Sequence, residues 1–536
     1  MLLLSNETFI NQRNLLVDMV KKVNLMLILV IFLIPALIGY LNRDMVFSGL
    51  SATDGNTYLS FMNQAREGKV LFTNMYTSEE IPYIMFRPTY LVAGWFSFVT
   101  KLPNIVVYHL LRLIGIVLFI FFLEKIISLY FKNEKERFIT LLICIFASGI
   151  GFFFKFLTLF GVKQYGSIDL WVTDANNFLI LMSHPHTIFS VAFIVASIYY
   201  FLKWNKSFKI KNIIFSALFA FILGFEHLFD VITIYLVIGL FMADQFISQK
   251  KIDWKKIKHL MLFVFITALP FIYTYIMFTT FPSFSSWNAQ NVLDTPKLLH
   301  VIFGYGFMFF SFIAVLWYSI ANHKKIKPET KYALYWIISV LILIYSPFNI
   351  QRRFFEGAHI PFGIITGIFL FKTLKPYLNL KFNKRTAAAI IIFILILVLP
   401  TNIYHLFNRT LNLDNGRGIF PYSVNNYIYP EEQEALLWLK DNTEPNSVII
   451  SAYNIGNYIP RYMNQRVYLG HWAQTIYFEQ KSKDIENYFK ENKNINLNKQ
   501  AYVWYGVDEK TLNPNFQPIG SELVFENEKV KIYRLK

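Results

Sequence analysis

Long apolar segments separated by short polar loops occupy the chain from residue 23 to residue 404. A helix that crosses the hydrocarbon core of a bilayer needs about 20 mostly apolar residues, and these segments have that length. The pattern therefore predicts a polytopic α-helical membrane protein with about eleven transmembrane helices. The predicted spans are 23–41, 104–130, 138–158, 184–203, 212–226, 230–248, 259–279, 300–321, 331–348, 359–376 and 386–404.

A further apolar segment, 85–99, lies in the stretch between the first two spans, framed by Arg87-Pro88 and Lys101-Leu102-Pro103. If this segment does not cross, every Lys-rich loop falls on one side, as the positive-inside rule for short loops requires. We therefore predict that it lies on or dips into the outer face, and that 42–103 is the first outer loop. The alternative is a true span with a further crossing near 159–183. The Lys-rich loops contain Lys132, Lys135 and Arg137; Lys203 to Lys211; Lys250 to Lys258; Lys324 to Lys331; and Lys381 to Arg385.

The sequence after about residue 405 has a different pattern. Polar residues become more frequent, and short alternating runs typical of strands separate amphipathic helical segments. We predict helices at 431–441 and 483–492, strands at 447–451, 466–469 and 501–505, and a terminal hairpin from 523–526 and 529–534. The chain then divides into a membrane domain, 1–404, and a small extracytoplasmic α/β domain, 405–536.

Composition agrees with a membrane protein and excludes some other classes. Of 536 residues, 55% are hydrophobic, which exceeds what a soluble domain needs. The net charge of +17 comes from Lys residues in inter-span loops, so we predict no nucleic-acid partner. The single cysteine, Cys144, permits no internal disulfide. The first span follows Lys21 and Lys22 without a cleavage pattern, so it is predicted as a retained helix with a cytoplasmic N-terminus.

The most interesting polar residue outside the spans is Asp54, in the motif Asp54-Gly55-Asn56-Thr57-Tyr58. A carboxylate at a membrane face can take a proton from an acceptor hydroxyl. Asp-Gly is also a common turn pair, so a purely structural role is the alternative.

Other ionisable residues cluster at the predicted outer ends of the spans, where burial in lipid is costly. Each has a structural alternative: the histidines can cap a helix, and the acids can satisfy one another. Imidazole and carboxylate also suit a divalent metal, but no fixed ligand spacing is present, so no cofactor is assigned and a metal is left open. These candidate site residues are His184, His186, Glu226, His227 and Glu356.

The pair Arg352-Arg353 lies on the predicted outer side, against the positive-inside rule. Guanidinium groups bind phosphate through paired hydrogen bonds, so the pair indicates an anion site beside the bilayer. The alternative is that both side chains reach the lipid headgroups.

These features together resemble the GT-C glycosyltransferase superfamily, in particular the prokaryotic relatives of protein mannosyltransferases and aminoarabinose transferases. The likeness covers the architecture of the membrane part, the Asp54 motif and, less specifically, Arg87-Pro88 and Arg352-Arg353. It departs in having a lone Asp54 where the family often has two adjacent acidic residues. The stretch Tyr468-Leu469-Gly470-His471-Trp472 resembles one seen in uncharacterised membrane proteins of this kind, and no mechanism attaches to it.

The resemblance implies transfer of a sugar from a polyprenyl-phosphate donor to a glycan, lipid or protein acceptor outside the cytoplasm, in the cell membrane. It implies Asp54 as the general base and Arg352 or Arg353 at the donor phosphate. Arg87, His184, His186, Glu226, His227 and Glu356 would then contact substrate. The rival hypotheses are a transporter or flippase of a lipid-linked or envelope substrate, and a non-catalytic membrane scaffold. Convergence of these residues in one outward site favours the transferase.

Overall fold

The computed structural model describes residues 25–41, 44–163, 165–413, 424–444 and 446–536, and most of them are helical. The predicted cytoplasmic N-terminus, with Lys21 and Lys22, lies outside the described residues. In chain order the helices before the C-terminal region are α1 Leu25–Gly39, α2 Ala52–Arg66, α3 Pro88–Thr100, α4 Asn104–Tyr130, α5 Glu134–Phe146, α6 Gly151–Leu157, α7 Asn177–Leu181, α8 Pro185–Ser207, α9 Ile210–Glu226, α10 Leu228–Gln249, α11 Trp254–Thr280, α12 Pro282–Gln290, α13 Leu298–Tyr305, α14 Phe307–Ala321, α15 Pro328–Leu343, α16 His359–Ile368, α17 Lys375–Lys381, α18 Lys384–Leu397 and α19 Pro400–Leu411.

Six helical segments of the described chain are long and apolar enough to cross a bilayer. Two bent pairs, α5 with α6 and α13 with α14, raise the number to eight if each pair is one span. The predicted spans 23–41, 212–226 and 331–348 coincide with α1, α9 and α15, which are shorter helices of at most 17 residues. A multi-pass membrane protein is therefore confirmed in outline, and the count of eleven crossings stays a prediction. The six long segments are Asn104–Tyr130, Pro185–Ser207, Leu228–Gln249, Trp254–Thr280, Gln351–Lys381 and Lys384–Leu411.

Close helix contacts in the bundle depend on small residues. A Cβ added at Gly363 of α16 would lie 2.6 Å from Cys144 Sγ of α5. Small residues let helix backbones approach closely, which is how helices associate when lipid supplies no hydrophobic driving force. Cys144 is fully buried at this contact, and among the described residues it behaves as a small packing residue.

Polar contacts gather at two opposite ends of the helices. At the end that holds the Lys-rich loops, Asp244 accepts from Lys331 at 3.1 Å and contacts His323 at 2.7 Å. At the other end, side chains from the starts of α3, α8 and α10 meet. The Lys-rich loops lie together at one end of the helices, as the positive-inside rule predicts. Which side of the membrane each end faces stays a prediction.

Helix α3 forms most of segment 85–99, for which the sequence left open whether it crosses the membrane. It begins at Pro88 and has 13 residues, so it is about 20 Å long at 1.5 Å per residue, too short for a hydrocarbon core of about 30 Å. One face packs on α2, where a Cβ at Gly94 would lie 2.4 Å from the Ala65 Cβ. The other face is apolar and exposed, as in a helix that lies in a membrane interface. Its exposed residues are Val92, Trp95, Phe96, Phe98 and Val99.

The C-terminal region forms the predicted α/β structure around a five-stranded sheet. The strand order is β4 (Arg466–Val467), β3 (Val448–Ile450), β5 (Ala501–Tyr505), β7 (Lys531–Leu535) and β6 (Ser521–Glu526). Strand β3 pairs in parallel with β4 and β5, and β5-β7-β6 are antiparallel, so the predicted terminal hairpin is confirmed. Helix α21 was missed by the sequence analysis because Pro460 lies inside it. The elements are β2 Tyr427–Ile428, α20 Pro430–Asn442, β3 Val448–Ile450, α21 Tyr453–Tyr462, β4 Arg466–Val467, α22 Phe478–Glu491, β5 Ala501–Tyr505, α23 Val507–Leu512, β6 Ser521–Glu526 and β7 Lys531–Leu535.

The first loop and the C-terminal domain pack directly against each other. Strand β1, Val46–Phe47, pairs antiparallel with β2. Arg461 of α21 donates to the Ser48 carbonyl at 2.6 Å and to Asn56 Oδ1 at 3.0 Å. The buried Lys481 ammonium contacts a Glu79 carboxylate oxygen at 2.6 Å. These contacts fix the start of α2 against residues near the end of the chain.

Candidate functional site

Asp54 lies in the first turn of α2, so Asp54-Gly55 is part of a helix and does not form a turn between elements. Ser51 precedes the helix with a positive φ of 55°, which turns the chain sharply into it. A negative charge in a first helical turn is favourable because unpaired N–H groups point toward it. The Asp54 side chain is 52% exposed, so a second molecule can reach the carboxylate.

Two histidines hold the Asp54 carboxylate from opposite parts of the chain. His471 of the C-terminal domain places Nε2 2.8 Å from Asp54 Oδ1, and its Nδ1 accepts from the Ala473 N–H at 3.1 Å. That second bond leaves the proton of a neutral ring on Nε2, so His471 donates to Asp54. His184, which precedes α8, has Nε2 3.7 Å from Asp54 Oδ2, a charge contact too long for a hydrogen bond.

These contacts set the charge state of Asp54. Burial among protein atoms raises its pKa, but the contacts with His184 and His471, including the hydrogen bond from His471, outweigh that effect. The pKa therefore lies well below its ordinary value of 3.8, and Asp54 is ionised at any physiological pH.

A row of aromatic rings continues from Asp54 toward the bundle. The Tyr108 hydroxyl lies 2.6 Å from His184 Nδ1, and the Tyr90 hydroxyl lies 2.6 Å from His186 Nδ1. Tyr58, one turn after Asp54 on α2, stacks on Tyr90 with ring centroids 4.9 Å apart, and it also contacts both histidine rings. The Tyr–His pairs fix the orientation of both imidazoles beside one aromatic surface.

Beyond His186 lies a second polar cluster, which we call the acid-histidine triplet: His227, Asp230 and Glu356. The His186 and His227 rings meet edge to face with centroids 5.0 Å apart. His227 Nδ1 is 2.9 Å from Glu356 Oε2 and 3.6 Å from Asp230 Oδ2. All three residues are buried. The sequence analysis placed His227 and Glu356 in the site, and the structure adds Asp230 to them.

Glu226 and Arg87 connect α9 to α3. Glu226 Oε1 accepts from the Thr89 N–H at 2.7 Å, and Arg87 donates to the Glu226 carbonyl at 3.0 Å. These bonds satisfy an otherwise free N–H at the start of α3 and the last carbonyl of α9. Both residues therefore position helices at the site. Burial raises the pKa of Tyr58, as does the charge of Asp54, while the charges of Arg353 and Arg87 lower it.

The two adjacent arginines point to different partners. Arg353 contacts Asp174 Oδ1 at 3.1 Å, while Arg352 lies over the Trp171 ring at 5.2 Å. Among the described residues they do not converge on one point. Arg353, at 39% exposure and one turn before Glu356, whose N–H donates to the Arg353 carbonyl at 3.1 Å, is the better placed of the two for an anion at the site.

The structure brings Asp54, His184, His186, His227 and Glu356 into one continuous polar row, with Arg353 beside it. No role was predicted for His471, although the stretch Tyr468–Trp472 that contains it was named as a resemblance to other membrane proteins. The sequence analysis also missed the roles of Tyr58, Tyr90 and Tyr108. A signal exists for Tyr58 and Tyr108, which lie near the starts of helices that also carry Asp54 and His109. Tyr90 has no such signal, since α3 contains neither His nor Asp.

In comparisons with known proteins, no family model matches the chain and no functionally characterised protein resembles it closely enough to count as a match. What the fold supports is the class of multi-pass helical membrane proteins, with a small α/β domain packed on the first loop. The resemblance to GT-C enzymes stays a hypothesis.

Proposed function

We propose that this protein is an integral membrane glycosyltransferase of the GT-C kind. It transfers a sugar from a polyprenyl-phosphate donor to an acceptor hydroxyl outside the cytoplasm. The observation that carries the proposal is the half-exposed, ionised Asp54 held by His471 and His184 where the first loop, the bundle and the C-terminal domain meet.

In the proposed reaction Asp54 accepts the proton of the acceptor hydroxyl while the acceptor oxygen bonds to C1 of the sugar. The bond from C1 to the phosphate oxygen breaks, and the lipid phosphate leaves with the bonding electrons. A carboxylate with so low a pKa is a weak base. It therefore suits a hydroxyl whose proton becomes acidic only as the new glycosidic bond forms.

The donor phosphate needs a cation as its charge grows. Arg353 is the proposed group, because it is partly exposed and lies one turn before Glu356 of the polar row that starts at Asp54. Arg352 is assigned a different role, since it packs on the partly exposed Trp171. This refines the hypothesis that either arginine serves the phosphate.

The flat faces of Tyr58 and the neighbouring rings support a sugar-binding role. Aromatic faces offer apolar surface to the C–H side of a sugar ring, while the histidines can hydrogen-bond its hydroxyls.

The test uses the purified full chain in liposomes with a panel of polyprenyl-phosphate hexoses and pentoses. Release of polyprenyl phosphate and transfer of labelled sugar are measured together. We expect one donor to react, and the Asp54→Asn variant to be about 10²- to 10⁴-fold slower, the range for loss of a general base.

The matched control is Glu67→Gln, since Glu67 is an exposed carboxylate that follows the other end of α2. It should keep full activity. Passage of the intact lipid-linked sugar across the bilayer without cleavage would instead show a flippase. Equal activity in the wild type and in Asp54→Asn would show that Asp54 is not the general base.

A further inference from the structure

The acid-histidine triplet places two carboxylates and an imidazole together in the interior. Asp230 is 0% exposed and Glu356 is 1% exposed. One nitrogen of His227 and one oxygen from each acid lie within 4.8 Å of one another. Ionised carboxylates in such a place are strongly disfavoured unless a cation or a full set of hydrogen bonds compensates them.

Hydrogen bonds do not supply that compensation within the described chain. Both oxygens of Asp230, both oxygens of Glu356 and Nδ1 of His227 are buried and have no hydrogen-bond partner of acceptable geometry. The nearby Arg353 contacts Asp174. A single imidazole therefore faces two acids, so two ionised carboxylates would not be fully compensated by the contacts within this cluster.

Local structure aims the three groups at one point. His227 caps α10 and Asp230 is in its first turn, so the spacing of three puts both on one helix face. Glu356 comes from a different segment, directly before Gly357, whose φ of +77° favours glycine and turns the chain there. Ligands drawn from two rigid segments are typical of a preorganised site.

We infer that the triplet binds one divalent transition-metal ion, Zn²⁺ or Mn²⁺. Imidazole with carboxylates suits these ions, whereas Mg²⁺ and Ca²⁺ prefer oxygen ligands alone. Metal bonds of about 2.0–2.2 Å in tetrahedral geometry put ligand atoms about 3.3–3.6 Å apart. The separations of 2.9 and 3.6 Å from His227 Nδ1 lie close to that range, and the two acid oxygens, which lie within 4.8 Å of each other, would draw together as the ion binds. Three protein ligands leave a fourth position for water or substrate.

The test uses the full chain in detergent, freed of its affinity tag, treated with EDTA, and then given Zn²⁺ or Mn²⁺ alone. After removal of free metal, elemental analysis should find about one ion per chain in the wild type. The double variant Asp230→Asn/Glu356→Gln should bind at least about 100-fold more weakly, because both charged ligands are lost. Added metal should also raise the melting temperature of the wild type and leave that of the double variant unchanged.

Asp244→Asn is the matched control, because Asp244 lies on the same helix and also contacts a histidine, but Lys331 supplies its counter-charge. It should bind metal as the wild type does. Absence of stoichiometric metal in the wild type, or equal binding by the folded double variant, would overturn the site and favour a proton shared between the two acids. Neither result depends on glycosyl transfer, since no sugar donor is present.

Discussion

Asp54 combines two properties that seldom occur in one carboxylate: it is exposed enough to meet a substrate, and it is held by a donated hydrogen bond from His471. A charge-assisted bond of this kind is worth about 1.5–3 kcal/mol. Without this bond the Asp54 carboxylate is no longer held in place, so His471→Ala should slow transfer by up to about 100-fold, the cost of misplacing a reacting group, measured at neutral pH in the liposome assay. His471→Gln, which can still donate, should recover part of the loss, whereas equal defects in both variants would contradict a donor role.

The pKa of Asp54 also predicts a pH dependence of stability. Its folded pKa is depressed below 3.8, so the stabilisation it gives is present above that value and is lost as pH falls through the lower folded pKa. The difference in unfolding free energy between wild type and Asp54→Asn should stay constant from pH 8 to pH 5. It should shrink only in stronger acid, as chemical denaturation at each pH will show. A difference that shrinks already between pH 7 and pH 5 would contradict the low pKa.

The arginine pair can be separated by conservative substitution. Arg353→Lys keeps a charge for Asp174 but loses the planar fork that suits phosphate. It should raise the KM for lipid donor, by about tenfold for the loss of about 1.4 kcal/mol of binding, while Arg352→Lys should change it little. Steady-state kinetics with varied donor distinguish the two, and equal effects would contradict the assignment.

At the scale of elements, α2, which carries Asp54, packs against α3 at Gly94. The opposite face of α3 is exposed and apolar, as in a helix that lies in a membrane interface. Gly94→Val would insert a side chain where even a Cβ comes within 2.6 Å of the Met62 carbonyl. We expect a loss of about 1–3 kcal/mol, with α3 displaced from α2. Thermal unfolding in detergent measures the cost. The control Val92→Ala on the exposed face of α3 should be near neutral, and a neutral Gly94→Val would show that this contact is loose.

Elements were predicted better than contacts. Strand 501–505 and the hairpin had clear alternation, and the six long helical segments had long apolar runs, so local pattern sufficed for these elements. His471 could not be assigned because its partner is 417 residues away, and no local pattern encodes such a distance. Asp230 was interpreted as a partner of Glu226 and His227 across a tight turn, because the other acid of its cluster, Glu356, comes from another segment and no fixed motif spacing connects them.

At the scale of the whole molecule, the first loop and the C-terminal domain act as one unit. Arg461 connects them through Ser48 and Asn56. Arg461→Ala should loosen the domain, increase its cleavage in limited proteolysis and reduce transfer, because His471 would no longer be fixed beside Asp54. The surface variant Lys490→Ala, which removes only an exposed pair with Glu486, should change neither readout. Normal protease resistance with Arg461→Ala would refute this coupling.

The orientation of the bundle can be tested directly. A single cysteine placed after Lys101, in a chain with Cys144 replaced by Ala, should react with an impermeant reagent from outside the cell. A cysteine in the Lys250–Lys251 turn should react only after the membrane is opened. The reverse pattern would overturn the predicted orientation and, with it, an extracytoplasmic site.

The 417-residue separation between Asp54 and His471 has a consequence for biosynthesis. Asp54 emerges from the ribosome early, and its donor is made only near the end of translation. The predicted topology also requires the segment carrying His471 to cross the membrane after all the spans have inserted. A partly made or truncated chain would thus already carry its carboxylate among membrane lipids but lack the completed site. Assembly of the domain that carries His471 would complete the site around Asp54.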